Sequence, residues 1–555
     1  MQRIYCLNTK TTMDFPEGTT LLEMVPKFGV KTKYRVLSAK VNNVSQGLKY
    51  RVFNNRDVEF LDYTDPSARR VYYRSLCFLL CKAAEDAFPS CRVDIKHSIS
   101  NVCYCTLEKM DGTSFSKKDL QHLRNRMKEI VKKDIPFHKY EARTEDAIEI
   151  FRKKGYDDKV RLLETIGEPY TDYYTLGGSV DYYYGRLVPS TGYLETWDID
   201  YMEGGILLRI PKLDNFNEVC DIIRQPKTME VLSEGLSWNK IMKLSCVGDL
   251  NHACKRGYAT ELIQVAEALQ EKKIVQIAEE IERRHANKEN PLKVVLITGP
   301  SSSGKTTVTK RLSVQLKACG IRPISFSTDD YFVNRIDTPK LPDGRYDFDN
   351  FETVDHAALE RDVISILQGE SVEVPQYNFV TGRREYNGRK IRMEEGSVLI
   401  VEGIHALNPN LLSRVDPKCQ FKIFISTLTS IPLDYHNWIP TSDNRLLRRI
   451  IRDYNKGAFS ARETISQWPY VREAENKWIY PYQESADVMF NSAYLIEFAV
   501  LRSHAEPILC SVPKDCPEYS EAHRLLRFLH YFQPVSDKDI PSTSLLRAFI
   551  GGGNL

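Results

Sequence analysis

Residues 299–307 read GPSSSGKTT, and no other stretch constrains the fold as strongly. It fits G-x-x-x-x-G-K-[ST], with Gly299, Gly304, Lys305 and Thr306 at the fixed positions and Pro300, Ser301, Ser302, Ser303 and Thr307 completing the loop. The apolar run LKVVLI (292–297) precedes it, and TTVTKRLSVQLKACG follows with helical spacing. Strand, glycine loop and helix in that order wrap backbone N–H groups and a helix N-terminus around phosphate oxygens. Lys305 is expected to reach the β- and γ-phosphates of ATP, and the Thr306 hydroxyl to ligate Mg2+.

Four more short apolar runs follow: PISF (323–326), VLIV (398–401), FKIFI (421–425) and ADVMF (486–490). Their apolarity is continuous rather than alternating. That predicts strands buried on both faces, in an α/β domain with a mainly parallel sheet and flanking helices. Ligands of such sheets bind at the carboxyl ends of the strands. FSTDDYF (326–332) puts Asp329 there, suited to accept a hydroxyl proton near the transferred phosphate. VLIVEG (398–403) puts Glu402 at a third strand end, suited to Mg2+ or its water. Arg445, Arg448, Arg449 and Arg452 in DNRLLRRIIRD form a row of cations on one helix, a source of positive charge for a transferring phosphoryl group.

With 555 residues the chain is too long for one core. The pattern divides it into a small α+β unit (1–62), a second α+β unit (63–225), a helical connector (226–290), the P-loop domain (291–502) and a helical extension (503–555). Helices are expected over 67–88, 118–133 and 257–284. A net charge of +3 gives no whole-chain case for nucleic-acid binding. The 13 cysteines lack paired spacings, which reads as reduced thiols in a cytoplasmic protein. There is no run of about 18 apolar residues and no leader-like N-terminus, so no membrane partner is expected.

ITGPSSSGKTT, STDDYF, YDFDNF, VPQYNFVTGRR, VEGIHAL and RLLRRIIRD, in that order, resemble the uridine kinase and phosphoribulokinase family over about residues 293–500. The resemblance implies an ATP- and Mg2+-dependent kinase of a ribonucleoside 5′-hydroxyl, uridine- or cytidine-like. It implies Asp329 as catalytic carboxylate with Lys305 and Arg452 at the phosphates. It implies Asp349 on the ribose hydroxyls, Tyr377 and Phe379 around the base, and Arg449 and Gln467 as further substrate contacts. Two departures stand out. Gly382 lies where the family has a base-reading histidine. Gly457, Ala458 and Phe459 replace an R-G-R in the lid, with Lys456 and Arg462 the nearest cations. The segment SIPLDYHNWIPTSDN (430–444) is long for the family and is expected to form a substrate lid. Alternatives are a kinase of a phosphorylated sugar or other small alcohol, and a regulator that binds RNA or a partner and uses ATP as a switch. The resemblance also implies a homo-oligomer.

The first half has its own resemblance. Residues 1–62 resemble the small β-grasp domain, called TGS, of threonyl-tRNA synthetases, and about 63–225 resemble the editing-type domain behind it. RVYYRSLCFLLCKAAEDAFP, KYEARTEDAIEIF and GGSVDYYYGRLVP carry the likeness. The positions that hold metal ligands there are Arg74, Phe78, Tyr183 and Leu187 here, a set that cannot make that site. The tyrosines at 170, 173, 174 and 182–184 are expected to pack a sheet or line a pocket.

Overall fold

A hairpin opens the chain. In β1 (Gln2–Cys6) residues 2, 4 and 6 are buried while 3 and 5 face out, the signature of a sheet covered on one face. β1 pairs antiparallel with β2 (Thr11–Phe15). Thr20 and Glu23 form a capping box at the start of α1 (Leu21–Phe28), and Gly29 ends it at φ 59°. β3 (Ser38–Val41), β4 (Val44–Gly47) and β5 (Arg56–Leu61) complete a sheet of order β2-β1-β5-β3-β4, in which β1 and β5 are parallel. This is the expected β-grasp arrangement. The computed structural model describes residues 1–99, 102–202, 204–341 and 343–554.

α2 (Pro66–Ala87) starts at Asp65, whose carboxylate accepts from Ser67 and Ala68 N–H. Beyond it lie β6 (Arg92–Ile99), β7 (Val102–Glu108), α3 (Lys117–Lys132), β8 (His138–Arg143), α4 (Thr144–Lys153), α5 (Asp157–Ile166), β9 (Tyr170–Leu176), β10 (Ser179–Asp181), β11 (Asp198–Met202) and β12 (Gly205–Arg209). They build two antiparallel sheets, β11-β12-β7-β6 and β10-β9-β8. One apolar core runs from Ile4 and Phe60 through Leu76 and Phe78 to Leu123 and Tyr183, so the first two units form one body. The rings of Phe78 and Tyr183 touch at 5.4 Å, Leu187 is buried, and Arg74 donates to the Arg186 carbonyl. Side-chain packing thus fills the four positions that bear ligands in the synthetase domain. Tyr170, Tyr182, Tyr183 and Tyr184 line a cleft of about 610 Å³.

α6 (Pro226–Ile241), α7 (Val247–Lys255) and α8 (Ala259–His285) follow. α8 is more than a connector. Its second half buries Ile274, Ile277 and Ile281 against the P-loop sheet, and Glu267 and Glu271 pair with Arg311 of the helix after the loop.

The P-loop unit contains β13 (Val294–Thr298), α9 (Lys305–Ala318), β14 (Arg322–Ser327), α10 (His356–Leu367), β15 (Val372–Glu373), β16 (Gln376–Asn378), β17 (Arg383–Glu385), β18 (Lys390–Ile391), β19 (Ser397–Glu402), β20 (Gln420–Ser426), α11 (Thr441–Asn455), α12 (Ala461–Trp478) and β21 (Val488–Asn491). The five apolar runs make one all-parallel sheet of order β14-β19-β13-β20-β21. Every residue of β13 is buried, as continuous apolarity requires. α13 (Glu497–Cys510), α14 (Tyr519–Leu529) and α15 (Arg547–Ile550) pack beside α11, with Phe498, Phe528 and Phe532 in mutual contact. No helix among the described residues is long and apolar enough to cross a membrane.

The segment 430–444 does not cover the nucleotide side, contrary to expectation. It docks on the N-terminal body. Its Tyr435 carbonyl accepts the Ile95 N–H and its Tyr435 N–H donates to the Asp158 carboxylate, and Asp434 pairs with Lys159 at 3.0 Å, both fully buried. Asn437 donates to the Tyr182 carbonyl. Such buried polar groups are costly unless satisfied; besides the bonds within the 434–437 turn, their partners lie in the N-terminal body. A second join is ionic. Arg524 of α14 grips Asp443 of α11 through two bonds of 2.7 and 2.9 Å and also holds Glu521, which pairs with Arg70 of α2. Arg524→Ala strands the buried Asp443 carboxylate, so it should cost about 3 kcal/mol and lower the thermal midpoint. An unshifted melting curve would remove this join from the account of stability.

Candidate active site

β13 delivers the loop and α9 receives it. A Cβ on Gly299 would lie 2.2 Å from the Ile425 carbonyl oxygen, and Gly304 adopts φ 88°, so the motif glycines are required by contact and by backbone respectively. Ser302 also takes a positive φ, 60°. Ser302, Ser303 and Thr307 are buried. Lys305 Nζ donates to the Gly299 and Pro300 carbonyls at 2.9 and 3.3 Å. Burial pulls its pKa below the ordinary lysine value, against the carboxylates of Glu402, Asp329 and Glu475.

The α11 arginines correct the expectation of four cations facing a phosphate. Arg445 and Arg448 are fully buried and act on the outside of the loop. Arg445 forms a two-pronged pair with Glu475 of α12 and donates to the Ser301 carbonyl at 3.1 Å, while Glu475 accepts the Ser301 N–H at 3.0 Å. Arg448 pairs with Glu497 and donates to the Ser302 and Ser492 carbonyls, and Ser492 Oγ donates to the Ser303 carbonyl. Burial raises the Glu475 carboxyl, but Arg445 and Arg472 outweigh it and leave its pKa below the usual value. Only Arg449 and Arg452 stay near the open side. Arg449 donates to Ser301 Oγ at 3.0 Å, and Arg452 pairs with Asp453. Arg462 is turned to Glu518, and Lys456 is exposed.

Carboxylates converge on Lys305. Asp329 sits in a short turn whose Ser327 hydroxyl accepts the Asp329 N–H. Burial pushes its pKa to about 6, with Glu402, Asp330 and Asp349 adding repulsion and Lys305 opposing. Asp349 is also held at about 6, by burial and by Glu475 and Asp347, against Arg449. Glu402 Oε1 accepts from Thr306 Oγ1 at 2.8 Å. Two hard oxygen donors side by side at the loop suit Mg2+. Gly403, after Glu402, is needed because a Cβ there would lie 1.8 Å from Thr328 Oγ1.

An aromatic group adjoins these carboxylates. Tyr377 of β16 is buried, whereas Phe379 is 59% exposed, and their rings meet edge to face at 5.0 Å. Phe332 contacts both and stacks on Phe348. Phe332 follows Asp329 by three residues and Phe348 precedes Asp349, so each carboxylate is tied to a ring. Gly382 is at φ 69°, and any Cβ there would lie 2.8 Å from the Arg335 side chain. Arg335 bonds the Phe379 and Gly382 carbonyls, so a guanidinium occupies the space that a side chain at 382 would take. Gln467 lies half-buried on α12 and makes no side-chain hydrogen bond among the described residues. Trp468, next to it, lies under Arg445 at 5.2 Å. The buried His405 ring stays neutral near pH 7, its pKa pushed down to about 4 by burial.

The structure brings Asp329, Asp349 and Glu402 together around Lys305. The sequence reading did not single out Phe332, Phe348, Arg335, Glu475 and Glu497. The first two were inside quoted motifs and carried a signal; the others have none short of the fold.

Residues 294–496 match the family model described as phosphoribulokinase/uridine kinase family. The N-terminal part is homologous to threonine–tRNA ligases. That of Carboxydothermus hydrogenoformans is 28% identical over 187 residues, 34% of this chain and 29% of the ligase. That of Fusobacterium nucleatum is 31% identical over 173 residues, 30% of this chain and 27% of the ligase. The chain thus spans less than a third of the curated relatives it matches. Among solved structures, a possible uridine kinase from Bacillus stearothermophilus aligns over 40% of this chain and 98% of its own, at 18% identity and a TM-score of 0.27. A putative fructose transport system kinase from Silicibacter aligns over 39% and 98%, at 15% identity and a TM-score of 0.29.

The raised carboxyls have a consequence for stability. Asp329 binds its proton more tightly folded, at about 6, than unfolded, at about 3.9. Its contribution is favourable at low pH and is lost as pH rises from about 4 through about 6. Asp329→Asn should therefore be more stable than the parent at pH 7.5, by about 3 kcal/mol, and the gap should close by pH 4. Thermal midpoints across that range test this; a gap independent of pH would refute the raised carboxyl.

Proposed function

We propose that residues 291–502 form an ATP- and Mg2+-dependent kinase that phosphorylates the 5′-hydroxyl of a ribonucleoside, uridine- or cytidine-like. The observation that carries this reading is the ring group of Phe332, Phe348, Tyr377 and Phe379 joined to two carboxyls raised to about 6 around the loop lysine. A flat base needs aromatic walls and a ribose diol needs a carboxylate acceptor. The family match over 294–496 supports the kinase part.

In this reading the loop N–H groups of residues 299–307 and the Lys305 ammonium hold the ATP phosphates, and Lys305 exchanges its two carbonyl partners for phosphate oxygens. Thr306 and Glu402 are the residues that would hold Mg2+, which when bound offsets phosphate charge. Asp349 accepts from the ribose hydroxyls and is kept oriented by Arg449. Tyr377 and Phe379 flank the base, Arg335 offers donors to its edge, and Gln467 contributes a further polar contact. Asp329 takes the 5′-hydroxyl proton as the new oxygen–phosphorus bond forms and the bond to ADP breaks. A pKa near 6 leaves it ionised at neutral pH and still basic enough to help. Arg452 adds positive charge beside the transferred group.

ADP release should be measured with ATP, Mg2+ and uridine, cytidine, adenosine, guanosine, inosine or ribulose 5-phosphate, with the product identified by mass. The expected product is a nucleoside monophosphate. Asp329→Ala should lower kcat by about 10³-fold with ATP binding kept. Phe379→Ala should raise KM for the nucleoside about tenfold and leave KM for ATP unchanged. A phosphorylated sugar as sole product, indifferent to Phe379→Ala, would replace the nucleoside reading. Full turnover without the Asp329 carboxylate would end its assigned role.

A further inference from the structure

A second cluster of chemically active side chains lies away from the nucleotide side, where the 430–444 segment meets the N-terminal body. Cys81 of α2, Asp181 of β10 and His436 of the segment each offer a ligand atom, and the three atoms lie within 4.8 Å of one another. Asp181 and His436 are buried and Cys81 is half-buried. His436 Nδ1 and Asp181 Oδ2 are 2.8 Å apart, and the other oxygen, Asp181 Oδ1, pairs with Lys159 Nζ at 3.0 Å. The Cys81 thiol is free, with no disulfide and no hydrogen bond among the described residues.

We propose that Cys81, Asp181 and His436 bind one borderline divalent transition-metal ion, of which Zn2+ is the type, and so pin the kinase-family segment to the synthetase-like body. Thiolate, imidazole and carboxylate are the donor set that a tetrahedral Zn2+ takes from proteins, with a fourth position left for water. The surroundings suit a cation. Three buried carboxylates, Asp158, Asp181 and Asp434, surround the Lys159 ammonium and the His436 imidazole. On binding, a divalent ion displaces the protons of the Cys81 thiol and the His436 imidazolium, so it enters the cluster without leaving an unbalanced charge. The Asp181 oxygens are already divided, one towards the imidazole and one towards Lys159. A ligating carboxylate braced by an outer hydrogen bond is the usual arrangement around protein-bound metals. Asp434 accepts the backbone N–H groups of His436 and Asn437, which fixes the turn that presents the imidazole. The donors differ from the four positions that carry ligands in the synthetase domain, which are filled by Arg74, Phe78, Tyr183 and Leu187. The ligands also come from both halves of the chain, so neither half contains the site alone.

The test uses the full chain, dialysed against Zn2+ and then against metal-free buffer, with metal measured by plasma mass spectrometry. One equivalent per chain is expected, and a higher thermal midpoint than that of the chelator-treated protein. Cys81→Ser and His436→Gln should each weaken binding at least about 100-fold. Cys91→Ser, a nearby thiol outside the triad, should keep the full equivalent. Replacement by Co2+ gives a readout that folding alone does not move: a sulfur-to-cobalt charge-transfer band, present in the parent and Cys91→Ser, absent in Cys81→Ser. Should His436→Gln fail to fold, the Cys81→Ser spectrum decides. Less than a tenth of an equivalent in the parent, or an unchanged cobalt band in Cys81→Ser, would overturn the proposal and leave the cluster as an ion-pair network.

Discussion

The phosphate loop can point its N–H groups inward only if something satisfies its carbonyls on the other side. In this chain the α11 arginines do so. Arg445 and Arg448 reach the Ser301 and Ser302 carbonyls, and Ser492 reaches that of Ser303. Two guanidinium ions without water demand two carboxylates, and Glu475 and Glu497 supply them with paired geometry. A buried ion pair is a poor source of net stability but an exacting one of position, because losing either partner strands a charge. The row of arginines that looks like a lid is half clamp and half site. Arg445 and Arg448 fix the loop; Arg449 and Arg452 remain available to what binds there.

The same logic explains why the site is charged against its own stability. Asp329, Asp349, Glu402 and Glu475 crowd one lysine. Burial first, and this crowding second, raise the Asp329 and Asp349 carboxyls to about 6. Such a group repels its neighbours until cationic ligands arrive, and strain of this kind concentrates where chemistry is done.

Sequence pattern revealed what is written locally. Five continuous apolar runs marked the five parallel strands. The central β19, β13 and β20 are covered on both faces and have no reason to alternate. β14, at the sheet edge, buries only Phe326 and is not covered on both faces as its run had suggested. The loop motif, Asp329 and Glu402 were visible because they sit at fixed offsets from strand ends. β4 carries no pattern of its own because VSQG has no apolar alternation, although Asn42 and Asn43, both at positive φ, mark the two-residue turn that precedes it. Glu475 and Glu497 were invisible for another reason: they lie 30 and 49 residues from the arginines they hold. Arg335 filling the space beside Gly382 is of the same kind. The 430–444 segment misled because a long segment near a site reads as a lid, whereas Lys159, Asp158 and Tyr182, which hold its Asp434, Tyr435 and Asn437, belong to a distant body.

That segment also bears on why so long a stretch precedes the loop. It runs directly into α11, and Asp443, in the first turn of α11, is gripped by Arg524 from α14, whose Glu521 is held by Arg70 of α2. The helix that clamps the phosphate loop is thus fixed at its start to both the N-terminal body and the C-terminal extension. A helix so anchored cannot swing as a lid without breaking buried ion pairs. Adjustment around a bound nucleotide falls instead to parts that carry little packing: residues 454–460, all exposed, and the β16–β17 tip bearing Phe379 and Val380. The first three hundred residues, on this argument, are part of the frame that sets the loop, and a change in their packing reaches the site through α11.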